Sequence, residues 1–299
     1  MKHFCTISTK SHLFKTKALA DSLCKFNAHL HVLIVDAEDI ETKQVNVSYY
    51  SLNCIKSEIG MALISKYRKH PDKLRWSLKS VFMALILEQT DKIIYVDNDI
   101  WFYKDPGFLF ELLNTNDVLL TPHFYDTNPK QNQNWLEANF KVGLYNAGFI
   151  GANNNAINAL NWWSEACLYN IKKSYWRGLF DDQKYLDLLP IMFDKVMVLK
   201  HRGCNLAGWN YLWYKLDRAK DNAALIENKY PLIFIHFAET SLIHFSNNDN
   251  FFNLEYNNYL ENLKKYNPNY SSKRSYFKTY TISVYINYIK WKICRLLES

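Results

Sequence analysis

The sequence predicts an α/β fold on a largely parallel sheet, and three observations predict it. Short apolar runs alternate with longer segments whose apolar residues recur at helical spacing, from residue 3 to about residue 245. The opening segments read strand–loop–helix–strand, the first unit of such a sheet. The chain has 299 residues, 48% hydrophobic and 22% charged, which supplies a large core without covalent staples.

The elements follow in order. HFCTIS (3–8) is an apolar strand, and a polar loop runs from Ser8 to His12. Residues 15–26 put Ala18, Leu19, Leu23 and Phe26 near helical spacing, and HLHVLIVDAED (29–39) is a second strand ending in acids. A helix with a basic end is expected over 56–70 and a strongly apolar helix over 74–89. KIIYVDND (92–99) is a short apolar strand running into two aspartates. DPGFLF (105–110) is a turn and a helix start, and 117–124 is a strand. Residues 126–139, rich in Asn and Gln, read as a loop. GLYNAGFIGANN (143–154) is a strand with small residues on both sides. Helices follow over 157–171, with Trp162 and Trp163, and over 181–193, ended by Pro190. Strands over 195–200 and 231–239 complete the pattern. It breaks over 246–270, so the expected organisation is a domain over 1–245 and a linker with a C-terminal extension over 246–299.

Charge is distributed unevenly. Residues 264–299 hold Lys264, Lys265, Lys273, Arg274, Lys278, Lys290, Lys292 and Arg295 against Glu298 alone, so the whole net charge of +7 lies there. The rest is neutral, which argues against a nucleic-acid groove across the fold; no nucleic acid is expected as a partner. Residues 276–297 read as a basic amphipathic helix that either packs on the body or docks on an anionic membrane surface. No run of 18 apolar residues is present, and the first residues lack the apolar core of a signal peptide. The expected location is the cytoplasm, peripheral on the inner face of the cytoplasmic membrane. The six cysteines are scattered without a CxxC, and buried thiols are expected rather than disulfides or a zinc site.

Three places carry chemistry. Asp97-Asn98-Asp99 emerges where an apolar strand leaves the sheet. Two close carboxylates repel unless a cation lies between them, and Mg2+ or Mn2+ takes such oxygens while keeping sites for phosphate. The alternative is a solvated loop. Asp181-Asp182-Gln183 opens a predicted helix, where an aspartate also serves as a plain N-cap. His236 ends the apolar strand PLIFI, and its role depends on whether it meets the aspartates in space.

These residues carry a family resemblance over roughly 3–245. DKIIYVDNDIWFYKDPGFLFELL resembles the metal-binding stretch of GT-A-type nucleotide-sugar glycosyltransferases, most of all family 8 and its bacterial relatives. GLYNAGFIGANN, RGLFDDQKYLDLLP, VMVLKHRGCNLAGWN, the N-terminal CTISTKSHLFKTKALADSL and the late IHF resemble further stretches of that group, in its order. The resemblance implies a GT-A-like, Rossmann-type mixed sheet flanked by helices, with a C-terminal basic helical extension added. It implies Mn2+ (or Mg2+) on Asp97 and Asp99, with His236 as third ligand. It implies a nucleotide-sugar donor, UDP-sugars first, with Asn98 by the ribose. The loop holding Thr6, Thr9 and Lys10 would take the nucleobase, with Asp36 a further candidate. Lys79 would reach the diphosphate or donor sugar. Asn146, Asn153 and Asp182 would bind sugar hydroxyls, and Gln183 would sit by the anomeric carbon, on the face away from the leaving group. Asp182 and Gln183 are the catalytic candidates. The implied reaction is transfer, with retention, to a saccharide or lipid-linked acceptor in bacterial surface polysaccharide or lipopolysaccharide synthesis. One departure stands out. The family's histidine leads a Gly- and Lys-containing segment that grips the diphosphate, whereas here HFAETSLIHF has neither, and His244 is an alternative ligand.

Two other readings compete. A haloacid-dehalogenase-like phosphatase also puts D-x-D after a strand, but on the first strand of the chain, not near residue 100. A non-catalytic nucleotide-sugar binder would have no need of the intact acidic pair.

Overall fold

The computed structural model describes residues 1–38, 44–130, 133–246 and 251–271. In chain order the strands and helices are β1 (Lys2–Ser8), α1 (Leu13–Cys24), β2 (Ala28–Ile34), β3 (Val47–Ser51), α2 (Glu58–Tyr67), α3 (Pro71–Ser77), α4 (Lys79–Leu87), β4 (Lys92–Val96) and β5 (Ile100–Phe102). They continue with α5 (Gly107–Leu112), β6 (Val118–Pro122), α6 (Gln133–Lys141), β7 (Tyr145–Asn153), α7 (Ile157–Tyr169), α8 (Leu189–Met192) and β8 (Val196–Val198). The last are β9 (Leu216–Arg218), β10 (Ala224–Ile226), β11 (Tyr230–Pro231), β12 (Phe234–His236), α9 (Glu239–Phe245) and α10 (Asn253–Tyr266).

Seven strands form the central sheet in the order β3-β2-β1-β4-β7-β6-β8. Only β7 runs against its neighbours; the other pairs are parallel. A sheet covered on both faces needs apolar residues on both sides of each strand. β1, β4 and β7 meet that need with near-continuous burial. One face packs Tyr95, Ile93 and Ile150 against Phe82, Ile86, Leu160 and Trp163 of α4 and α7. The other packs Phe4, Ile94 and Phe149 against Leu19, Leu23, Leu109 and Phe234. A third cluster joins Trp101 and Phe237 to Tyr256, Tyr259 and Leu263 of α10, with the Phe237 and Tyr259 rings stacked at 4.1 Å.

Several expectations are corrected. The helix expected over 74–89 is two helices, because Leu78 (φ −91°, ψ 0°) breaks the repeat and starts α4 afresh at Lys79. Most of the loop expected over 126–139 precedes or forms α6. Its asparagine is tolerated because Asn139 Nδ2 donates back to the carbonyls of Trp135 and Leu136. The helix expected over 181–193 is a 3-10 segment over Lys184–Leu188 followed by the one-turn α8. Pro190 lacks the N–H that would continue the first and fits the first turn of the second. Within 231–239 only Phe234–His236 pairs with β5, while Tyr230–Pro231 pairs with β10. The edge strand β3 was not foreseen; its residues are all half-buried and give no clean alternation. Cys5, Cys167 and Cys204 are buried free thiols as expected, but Cys24 is exposed at the end of α1. The amphipathic helix expected over 276–297 lies outside the described residues. Among the described residues, no helix is long and apolar enough to cross a membrane.

Candidate active site

The carboxyl ends of β1, β2 and β4 open at one edge of the sheet, the usual ligand side of such folds. β4 ends at Val96, and the chain turns through Asp97, Asn98 and Asp99 into β5. β5 pairs antiparallel with β12, which sets His236 opposite Ile100. The Phe237 N–H donates to the Asp99 carbonyl at 2.8 Å and locks that register. A histidine 137 positions later thus arrives beside the acidic pair.

Ligand atoms of Asp97, Asp99 and His236 lie within 4.8 Å of one another. His236 Nε2 is 3.1 Å from Asp99 Oδ1, yet that buried oxygen accepts no hydrogen bond. Two carboxylates and an imidazole, one oxygen of them buried and unsatisfied, fit a divalent cation. Among the described residues no other group of three acids, histidines or cysteines converges in this way. Burial works to raise the Asp99 carboxyl, but His236 first, then Lys15, hold it well below the usual carboxylate range.

Gly148 makes the convergence sterically feasible. The Asp97 N–H donates to its carbonyl at 2.9 Å. A Cβ there would meet His236 Cε1 at 2.6 Å, and Asn146 Oδ1 and Asp97 Oδ2 each at 2.9 Å. Asn146 accepts from the Gly148 N–H at 2.7 Å, donates to Asn205 Oδ1 at 3.0 Å, and faces His236 Nδ1 at 3.1 Å. Its amide is consumed in orienting His236, a different task from the sugar contact expected of it.

Lys79 starts α4 with its side chain buried. Its Nζ donates to the Ala147 carbonyl at 2.9 Å and lies 3.1 Å from Asp182 Oδ2 and 3.5 Å from Asp97 Oδ1. Burial alone would depress this ammonium; Asp182, then Asp97, hold it above its ordinary value. Asp182 is itself buried at 3% exposure, and burial, reinforced by Asp97 and Asp181, pushes its carboxyl up to about 6 against the pull of Lys79. Trp163, deep in the core, holds the Asp182 carbonyl at 2.9 Å. Asp181 adopts a left-handed φ of +48° and ion-pairs with Lys173 at 3.3 Å. The 3-10 segment that follows has Gln183 at its N-cap with no side-chain capping bond, so neither aspartate serves as the cap.

The remaining expected residues divide. Asn98, buried, donates to Ser8 Oγ at 3.1 Å, and the Lys10 N–H donates to Asp36 Oδ1 at 2.8 Å. Thr9 Oγ1 bonds Ser11 and His12, and Thr6 is buried with an unsatisfied hydroxyl. The loop after β1, Asp36 and Asn98 therefore form one wall beside the acidic pair. Gln183 donates to the Val142 carbonyl at 3.1 Å, behind Asp182. Asn153 is elsewhere. It pairs with Lys92 at the far end of β4, five residues or roughly 17 Å along the strand from Gly148. There its side chain ties Leu113, Asn116 and Asp117. His244 lies on α9 against Tyr211, and not in the group.

Sequence reasoning missed Lys15. This residue is 8% exposed, and its Nζ is 3.9 Å from Asp99 Oδ2. Its signal was present: it stands three and four positions before Ala18 and Leu19, on the buried stripe of α1, where a lysine is out of place. An aromatic wall stands beside the acidic pair. The Trp209 and His236 rings meet edge to face with centroids 5.4 Å apart, and His123, Tyr125 and Trp135 stack in series at 4.7 and 5.2 Å. Burial lowers the His123 imidazole to about 3.

A mixed sheet with one reversed strand and an acidic turn after its central strand defines the class: the fold is that of the GT-A-type glycosyltransferases. An active-site mutant of the enzyme LgtC aligns with a TM-score of 0.51 at 11% identity, over 87% of this chain and 95% of LgtC. The glycosyltransferase GlyE of Streptococcus pneumoniae TIGR4, in its apo form, aligns with a TM-score of 0.50 at 16% identity, over 89% of this chain and 62% of GlyE. By sequence the chain belongs to one family with YfnD, an uncharacterized protein of Bacillus subtilis (strain 168). The two are 30% identical over 254 residues, 81% of this chain and 78% of YfnD. YfnF of the same organism, also uncharacterized, is 28% identical over 255 residues, 79% of this chain and 80% of YfnF. No family model matches the chain.

Proposed function

We propose that this protein is a metal-dependent glycosyltransferase. It moves a sugar from a nucleoside-diphosphate sugar, UDP-sugars first, to a saccharide or lipid-linked saccharide acceptor of the bacterial surface. One observation carries the reading: Asp97, Asp99 and His236 converge between two buried lysines at the ligand edge of a GT-A sheet. Asp97, Asp99 and His236 would hold Mn2+ or Mg2+, which when bound supplies positive charge to a departing diphosphate.

The chain's own residues do the rest. Lys15 and Lys79 present ammonium groups in a water-poor cleft, where they favour charge that grows on the leaving group. Lys15 takes the place of the family's missing lysine after the histidine. The end of β1 and the loop after it, from Thr6 to Lys10, form with Asp36 and Asn98 the wall for base and ribose. Asp182, held by Lys79 and Trp163, faces the donor sugar and stabilises positive charge at its anomeric carbon. The resemblance to family 8 implies that the anomeric configuration is retained, and because Gln183 is a poor nucleophile, departure and attack then share one face. Trp209 and Trp135 offer ring surface for an acceptor saccharide.

The test is a thermal-shift and transfer screen of UDP-, GDP-, CMP- and dTDP-sugars with and without Mn2+. One donor raises the melting temperature only with the ion, and Asp97→Ala/Asp99→Ala loses both that rise and transfer while staying folded. A double variant that transfers at the parental rate refutes the reading, and an inverted product linkage by NMR refutes retention.

A further inference from the structure

Beyond α7 the chain forms a small hairpin. Ser174 and Leu179 exchange backbone hydrogen bonds of 2.8 and 3.0 Å, and Gly178 closes the turn at φ +64°. A turn bonded at both ends is stiff, so what it presents is held out by design of the backbone, not by chance mobility. Its tip carries Tyr175, Trp176 and Arg177. Trp176 is 84% exposed and Tyr175 is 60% exposed. Tyr169, 64% exposed, accepts from Arg177 Nη2 through its hydroxyl at 2.8 Å. Residues 166–178 hold Lys172, Lys173 and Arg177 and no acid. Lys66 of α2 donates to the Tyr169 carbonyl at 3.2 Å and adds a fourth cation at the base. The nearest acid after the turn, Asp181, is already paired with Lys173.

Tryptophan and tyrosine beside lysine and arginine are the residues that favour the headgroup region of a bilayer, where ring and charge are both satisfied. A saccharide or small ligand needs a concave site. The Trp176 indole, 84% exposed, has almost no neighbours to wall such a site. We propose that the hairpin over 174–179 docks the protein on an anionic lipid bilayer, Trp176 and Tyr175 entering the headgroup layer and Lys172 and Arg177 meeting anionic headgroups. The hairpin leads within four residues to Asp182, so docking holds the cleft at the membrane surface. That position suits a lipid-linked acceptor, a consequence that rests on the function proposed above; the docking itself does not.

The test uses the full chain and sedimentation with vesicles of phosphatidylcholine containing phosphatidylglycerol, against phosphatidylcholine alone. The wild type binds the anionic vesicles. Trp176→Ala weakens binding by on the order of ten-fold. Lys172→Glu/Arg177→Glu weakens it by more than the roughly five-fold expected for each neutralised charge, and only on anionic vesicles. Brominated lipids quench part of the wild-type tryptophan fluorescence, and that part is absent in Trp176→Ala. Both variants keep the parental melting temperature, since the tip supports no core. A wild type that ignores both vesicles overturns the proposal, as does a Trp176→Ala variant that binds like the parent. Unchanged vesicle binding with a raised acceptor KM in a lipid-free transfer assay also overturns it and makes Trp176 a sugar platform.

Discussion

Replacing Lys79 by methionine tests the electrostatic design of the cleft. The side chain is buried, and its ammonium satisfies the Ala147 carbonyl and neutralises Asp182 and Asp97. Methionine fills the volume and removes the charge. Removing one partner of a buried pair costs about 3–5 kcal/mol, because the partner left behind keeps its desolvation penalty. The cost depends on pH with a definite sign. Asp182 already sits at about 6 with the lysine present, and losing the cation raises it further. The native variant then binds a proton that the unfolded chain, with an ordinary carboxyl near 4, does not hold. Its deficit relative to wild type therefore shrinks as pH falls from 8 to about 6, by up to about 1.4 kcal/mol per unit below the raised pKa, and then stays level to pH 5 because Asp182 of the wild type takes up its proton there too. Adding Asp182→Asn removes the stranded charge and recovers most of the loss at pH 8. Urea unfolding followed by tryptophan fluorescence at both pH values measures all three quantities. A variant within about 1 kcal/mol of wild type at pH 8, or a double variant no better than the single, refutes this account.

Other outcomes follow from the same geometry. Gly148→Ala drives a methyl into His236, Asn146 and Asp97; it abolishes any Mn2+-dependent rise in melting temperature while costing only about 1–3 kcal/mol of stability, read by calorimetry with and without the ion. Lys15→Met raises the donor KM roughly ten- to a hundred-fold, the worth of one charge-assisted contact, with a small change in melting temperature. His123 is neutral when folded down to about pH 3 but titrates near 6.5 when unfolded, so its contribution is lost as pH falls below 6.5. His123→Gln should therefore lose about 2 kcal/mol less than wild type between pH 8 and pH 5 in urea melts.

The acidic turn was legible before any coordinates because it is local. Four apolar residues make a buried strand, and the next polar ones must stand at its end. The same logic exposed the β–α alternation, whereas the pairing of Lys79 with Asp182 and Asp97 appeared only in the folded chain. The resemblance implied a sugar contact for both Asn146 and Asn153, which stand at the two ends of one strand. Only its antiparallel pairing with β4 sends Asn146 toward the site and Asn153 away from it. The break at Leu78 and the left-handed Asp181 were hidden because tertiary packing overrode local propensity.

By itself, then, the chain's residue pattern determined the layered α/β architecture, the acidic pair and the position of the basic surplus, since periodicity and charge are properties of neighbours in sequence. Tertiary structure alone decided that His236 meets Asp99 through the β5–β12 register, that Lys15 points at the same carboxylate, and that Gly148 leaves room for them. Those are contacts between residues tens to more than a hundred positions apart, and no short window of sequence contains the register that sets them.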